Sequence, residues 1–196
     1  MKKLLILALA SSAMVATPAA AADFGQDAIG WYDLDADVDS FCLFGTDNAA
    51  GNTNNATISG VNGEADGDIV FDIQDDDDNT VQNASATYRI NNAVCNEAFT
   101  VTARSTNGGL KSPTAVVDTD FINLVPYTAQ FLFDGEDGAE TPVVAATDVE
   151  LLSVDWAKAG LARLRLKVNN SNDLLLEGAY DDFLVVSMQP SVGGDS

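Results

Sequence analysis

The sequence contains no histidine among its 196 residues. That absence removes the Ser-His-Asp set, the Cys-His pair and the usual zinc ligand sets together. Basic residues are scarce: nine Lys and Arg stand against 30 Asp and Glu, for a net charge of −21. So acidic a surface repels nucleic acid phosphates and anionic lipid, which excludes both as partners. Long apolar runs are also missing. Past the first 22 residues nothing approaches the roughly 20 apolar positions that a spanning helix needs, so no membrane span is expected. There is no internal repeat, no Pro- or Ser-rich linker and no phosphate-cradling glycine loop. Gly108-Gly109 after Asn107 reads instead as a hairpin turn.

What is present begins with an export signal. Lys2 and Lys3 precede a short apolar stretch, Leu4 to Ala10, and Thr17-Pro18 is followed by Ala19 to Ala22. A positive start, a short apolar middle and a small-residue cleavage site mark residues 1–22 as a bacterial secretory signal peptide. The product is expected in the periplasm, on the cell surface or secreted. The remainder has the size of one domain and can bury a core without a metal. We divide it into an N-terminal extension (23–40), a β-rich domain (41–190) and a polar tail (191–196).

Only two cysteines occur, Cys42 and Cys95. In an oxidising compartment a lone pair predicts one disulfide, and with no histidine to act as a base a reactive thiol is disfavoured. Closing so long a loop constrains the unfolded chain by roughly 4 kcal/mol.

Period-two patterning dominates the domain. Short β-rich runs at 57–61, 69–73, 86–90 and 99–103 are each bounded by Asn, Asp or Gly. Further runs follow at 125–133, 161–168 and 183–188. Within 161–168, Ala162, Leu164, Leu166 and Val168 alternate with Leu161, Arg163, Arg165 and Lys167, as in a half-buried antiparallel strand. At 147–159, Val149, Leu152 and Trp156 also fit one face of a helix, and the sequence leaves that segment open. The pattern as a whole predicts an all-β, antiparallel β-sandwich of a single domain.

The extension carries the first functional signal. Tyr32, Leu34, Ala36 and Val38 share one face of an extended strand, and Asp33, Asp35, Asp37 and Asp39 share the other. Such a strand can complete its own sheet or be donated to a neighbour's. It is not a calcium-binding EF-hand, because Val38 and Phe44 stand where glycine and glutamate are required. Two acidic clusters remain as calcium candidates: Asp75, Asp76, Asp77 and Asp78, and Asp134, Glu136 and Asp137. A third comprises Glu64, Asp66 and Asp68. The plain alternative for each is a solvated loop. No cofactor is otherwise indicated. With 30 acids, close carboxylate pairs arise by chance, so a glycosidase pair has no specific signal, and the chain is read as no enzyme.

The segment Cys95 to Leu110, a cysteine before an alternating strand that ends in Ser/Asn-Gly-Gly-Leu, resembles a recurrent stretch of chaperone-usher pilin subunits. Spore coat protein U-type proteins are the most similar of these. Gly178 to Met188 similarly resembles their Gly-x-Tyr-x-Asp plus terminal strand, and Tyr127 falls in their mid-chain V-x-Y strand. The resemblance implies an incomplete immunoglobulin-like sandwich, completed first by a periplasmic chaperone and then by another subunit's N-terminal segment. Residues 29–40 would be the donor, and Tyr180, Phe183, Val185, Val186 and Met188 the edge read by the partner. The expected partners are other copies of the chain or related subunits.

Function is therefore expected to be structural or adhesive, in a pilus- or coat-like subunit. The alternative is a free-standing secreted sandwich that binds calcium or a surface glycan, with Trp31 and Trp156 as aromatic platforms.

Overall fold

Alternation of apolar and polar residues sets the architecture. The computed structural model describes residues 38–45, 48–59, 67–114 and 119–191. The signal peptide, most of the extension with Tyr32, Leu34 and Ala36, and residues 192–196 lie outside them. Every helix or strand element among the described residues is a strand. The first seven are β1 (Cys42–Leu43), β2 (Asn48–Asn54), β3 (Ala56–Ser59), β4 (Asp68–Phe71), β5 (Thr80–Val81), β6 (Ala84–Cys95) and β7 (Phe99–Ser105). Then come β8 (Leu110–Lys111), β9 (Phe121–Ile122), β10 (Leu124–Val125), β11 (Tyr127–Phe133), β12 (Glu136–Asp137) and β13 (Thr141–Pro142). The last four are β14 (Asp148–Val154), β15 (Lys158–Val168), β16 (Ser171–Leu175) and β17 (Leu184–Pro190).

Two antiparallel layers enclose the core. The larger sheet runs β1-β6-β15-β11-β12, with β2 also on β6 and β13 also on β11. The smaller runs β14-β7-β17. Strict alternation on β7 and β11 buries Phe99, Val101 and Ala103 against Ala129, Phe131 and Phe133. The Phe99 and Phe133 rings lie 5.5 Å apart and Phe131 meets Phe133 edge-on at 6.5 Å. Aromatic pairs in such arrangements add about 1 kcal/mol each beyond the area they bury.

Cys42 and Cys95 form the disulfide, 53 residues apart and directly opposite in the β1–β6 register. Just beyond it, Gly45 passes so close to the Asn91 carbonyl that any Cβ would collide with it.

The open segment 147–159 is β14, a turn and the start of β15, not a helix. A bulge between Glu150 and Leu152 buries Leu151 and Leu152 in succession, which disguises the period of two. The turn at 107–109 is real, with Gly108 at φ +78°. It is not a hairpin, however, because β8 leaves β7 and pairs with β10.

Candidate functional site

The two long flanks of the sandwich differ. On one, β12 and β13 cover the edge of β11, and β14 lies beside them. On the other, β17 ends the smaller sheet and has no strand partner on its outer side among the described residues.

The outer edge of β17 can be read from its register. The Thr106 N–H donates to the Phe183 carbonyl, and the Ser191 N–H donates to the Ala98 carbonyl. Pairing between these points is continuous. Strand parity therefore turns residues 183, 185, 187 and 189 toward β7, and the backbone groups of Leu184, Val186 and Met188 outward. The same three side chains share the inner face with Pro190, opposite Ser105, Ala103, Val101 and Phe99. An apolar inner face and an unpaired backbone thus belong to the same residues.

Beside this edge lies an apolar groove of about 960 Å³. Segment 178–186 and the paired strands β3 and β4 form its sides, and Tyr88, Ile90, Leu164 and Leu166 line it from the larger sheet. Val70, Phe183 and Val185 are exposed around it. The expected edge residues thus divide by role. Val186 and Met188 face inward, Val185 faces out, and Phe183 precedes the strand at 69 % exposure. Tyr180 lies ahead of the strand and lines the groove, its hydroxyl donating to the Ile122 carbonyl at 2.8 Å. Burial holds that phenol above its ordinary value.

One partly buried cluster fixes the start of β17. The Asp182 carboxylate accepts from the Ser105 hydroxyl, from the Tyr127 hydroxyl at 2.7 Å and from the Asn107 N–H at 2.8 Å. Ser105 in turn accepts from the Gly108 N–H at 2.6 Å. Burial first, and then the bond to Asp182, pushes the Tyr127 phenol far above its usual range. The aspartate thereby ties the 105–108 turn, β11 and β17 together. All its partners are hydrogen-bond donors holding a carboxylate, which is a structural arrangement.

Of the three acidic clusters, one has Glu64 and Asp66 outside the described residues, and the other two do not converge. Among the described residues no group of three or more acidic side chains is placed to hold a metal ion. Two of the 75–78 carboxylates cap their own turn: Asp75 accepts from the Asp77 N–H at 2.9 Å, and Asp78 from the Thr80 hydroxyl at 2.6 Å. That second bond and the Thr80 N–H hold Asp78 below its ordinary pKa. Glu136 pairs with Lys158 at 3.2 Å, and Asp134 lies in a tight turn with φ +44°. Trp156 is exposed in the β14–β15 turn, with Lys158 Nζ 6.0 Å from its ring centre.

Of the extension, Val38 is described and is 79 % exposed. Asn96, in the turn after β6, holds the next residues: its side chain accepts from the Phe41 N–H at 2.7 Å and donates to the Asp39 carbonyl at 2.9 Å. Residues 39–41 are thus pinned at the disulfide end of the sandwich. No described helix is long and apolar enough to cross a membrane. Comparison with protein-family models, curated proteins and solved structures returned no match.

Proposed function

We propose that the chain is an exported structural subunit, pilus- or coat-like, that assembles by β-strand donation and has no catalytic role. On this reading the sandwich is an incomplete immunoglobulin-like one. Its open flank accepts residues 29–40 of another copy, after a periplasmic chaperone has occupied it.

The observation that carries the reading is the coincidence on β17 of unpaired backbone and an apolar groove. An edge strand of this kind recruits a partner strand through main-chain bonds, while alternate side chains fill the groove. Tyr32, Leu34, Ala36 and Val38 supply the required alternation. Their aspartate-bearing face stays in water. Asn96 anchors residues 39–41 at the disulfide end, so the segment ahead of them is the part offered for donation.

Light scattering of residues 23–196, beside a chain starting at Phe41, tests this. Full-length polymers that vanish on truncation and return with a peptide spanning 29–40 are expected. A folded full-length monomer, with the shorter chain unstable, would mean that the extension completes its own sheet, and the subunit reading would fall.

A further inference from the structure

Of the nine Lys and Arg residues, four share one surface: Arg89, Arg163, Arg165 and Lys167. Inward packing of Ala162, Leu166 and Val168 turns the three β15 cations outward, and buried Tyr88 and Ile90 do the same for Arg89. The β15 cations repeat every second residue, about 6.8 Å apart. Arg163 stands directly opposite Arg89 in the register, an arrangement of like charges that destabilises a sheet. Lys167 has an acidic partner, Glu140, at 3.5 Å. Arg165 donates to the neutral Gln130 at 3.1 Å. Among the described residues no carboxylate lies within 4.0 Å of the guanidinium of Arg89, Arg163 or Arg165.

The complementary feature is the Asp75–Asp78 turn between β4 and β5. Its carboxylates are also without an ion pair among the described residues. The turn is already ordered: Asp75 N–H donates to the Thr80 carbonyl at 2.9 Å, and both Asp75 and Asp78 cap backbone N–H groups. Little conformational freedom is therefore lost when it docks.

We propose that the arginine face of the larger sheet binds the Asp75–Asp78 turn of a second copy of this chain. A long polyanion would meet repulsion from the rest of a molecule with net charge −21. A narrow acidic turn meets the arginines locally, with Glu140 already engaged by Lys167, inside a screening length of about 8 Å at physiological ionic strength. Face and turn are different surfaces, so the contact is head-to-tail and can repeat from copy to copy. It is separate from the β17 groove and stands or falls without it.

Charge reversal in the full mature chain tests the contact. Arg163→Glu with Arg165→Glu cancels the positive charge of the face, leaving Arg89 and Lys167 against two glutamates. Asp76→Lys with Asp77→Lys likewise cancels the negative charge of the turn, leaving Asp75 and Asp78 against two lysines. Each variant alone is expected to lose self-association by about tenfold or more in sedimentation at fixed salt. An equimolar mixture restores it, because each then meets the opposite charge. Circular dichroism melts establish that both variants fold, and Arg163→Gln with Arg165→Gln gives an intermediate loss. Unchanged association in both variants, or a mixture that does not recover, overturns the proposal. So does a result in which the arginine variants lose binding to polygalacturonate but not to each other, which would assign the face to an acidic polysaccharide. Loss of the 29–40 peptide effect with charge complementation intact would remove strand donation and leave this contact standing.

Discussion

The covered and the open flank face one requirement, that every sheet edge needs a partner, and only one of them meets it among the described residues. On the covered flank, segment 136–143 folds back on β11. There the Gly138 N–H donates to the Phe131 carbonyl, and the Val143 N–H donates to the Tyr127 carbonyl at 3.2 Å. Phe99, Phe131 and Phe133 are fully buried beside it. On the open flank, Leu184, Val186 and Met188 turn backbone groups that have no strand partner among the described residues toward the outside, next to an apolar groove. Among the described residues one edge is covered and the other is both unpaired and apolar, and an edge of that second kind is one that partner strands pair with.

The comparison can be broken most forcefully from the covered side. Phe131→Ala should cost about 4 kcal/mol in a denaturant melt, since it empties a rigid site. Replacing both cysteines by serine should cost nearly as much, roughly 4 kcal/mol before strain is counted. Asp182→Asn turns an amide toward two hydroxyl donors and should cost about 3 kcal/mol. It should also loosen the start of β17, visible as faster amide exchange at Thr106 and Lys111, which bond the Phe183 and Asp181 carbonyls.

On the open side the expected cost is small. Val186→Ala should lower the stability of the isolated chain by about 1 kcal/mol while sharply reducing polymer formation. An equal loss in both would remove the distinction between the flanks. Arg163→Gln removes the repulsion with Arg89 and should raise stability by about 0.5 kcal/mol.

Two pH effects follow from the sites themselves. Tyr127 is raised in the folded state, so its contribution is present below about pH 10 and is lost as pH climbs past that value. Tyr127→Phe should flatten that alkaline loss. Glu140 is depressed, first by the Thr128 hydroxyl and then by Lys167 and Arg165. Its contribution is present at neutral pH and fades as pH falls through the acidic range. Because Glu140 is well exposed, that effect is the smaller one.

The strands were legible where local pattern and burial agree. In 161–168 the alternation names the buried face of β15 residue by residue. β14 was ambiguous because its bulge places two leucines in succession on the core. β2, with sequence NAAGNTN, has no apolar signal and is a strand because β6 pairs with it. β16 likewise owes its parallel partner β9 to tertiary position. The groove draws on Phe44, Ile69, Tyr88, Leu164 and Val186, which only folding brings together. Asp182 was visible within Gly178–Asp182, but its bonds to Tyr127, Ser105 and Asn107 depend on register rather than on spacing.

Residue-level hydrogen exchange on the mature chain, with and without a peptide spanning 29–40, tests the open edge most directly. The Leu184, Val186 and Met188 amides are expected to exchange rapidly in the free monomer and become protected when the peptide binds, while the Val185 and Ser187 amides, already bonded to β7, change little. Protection of all five in the free chain, or no change on adding the peptide, would contradict the open edge.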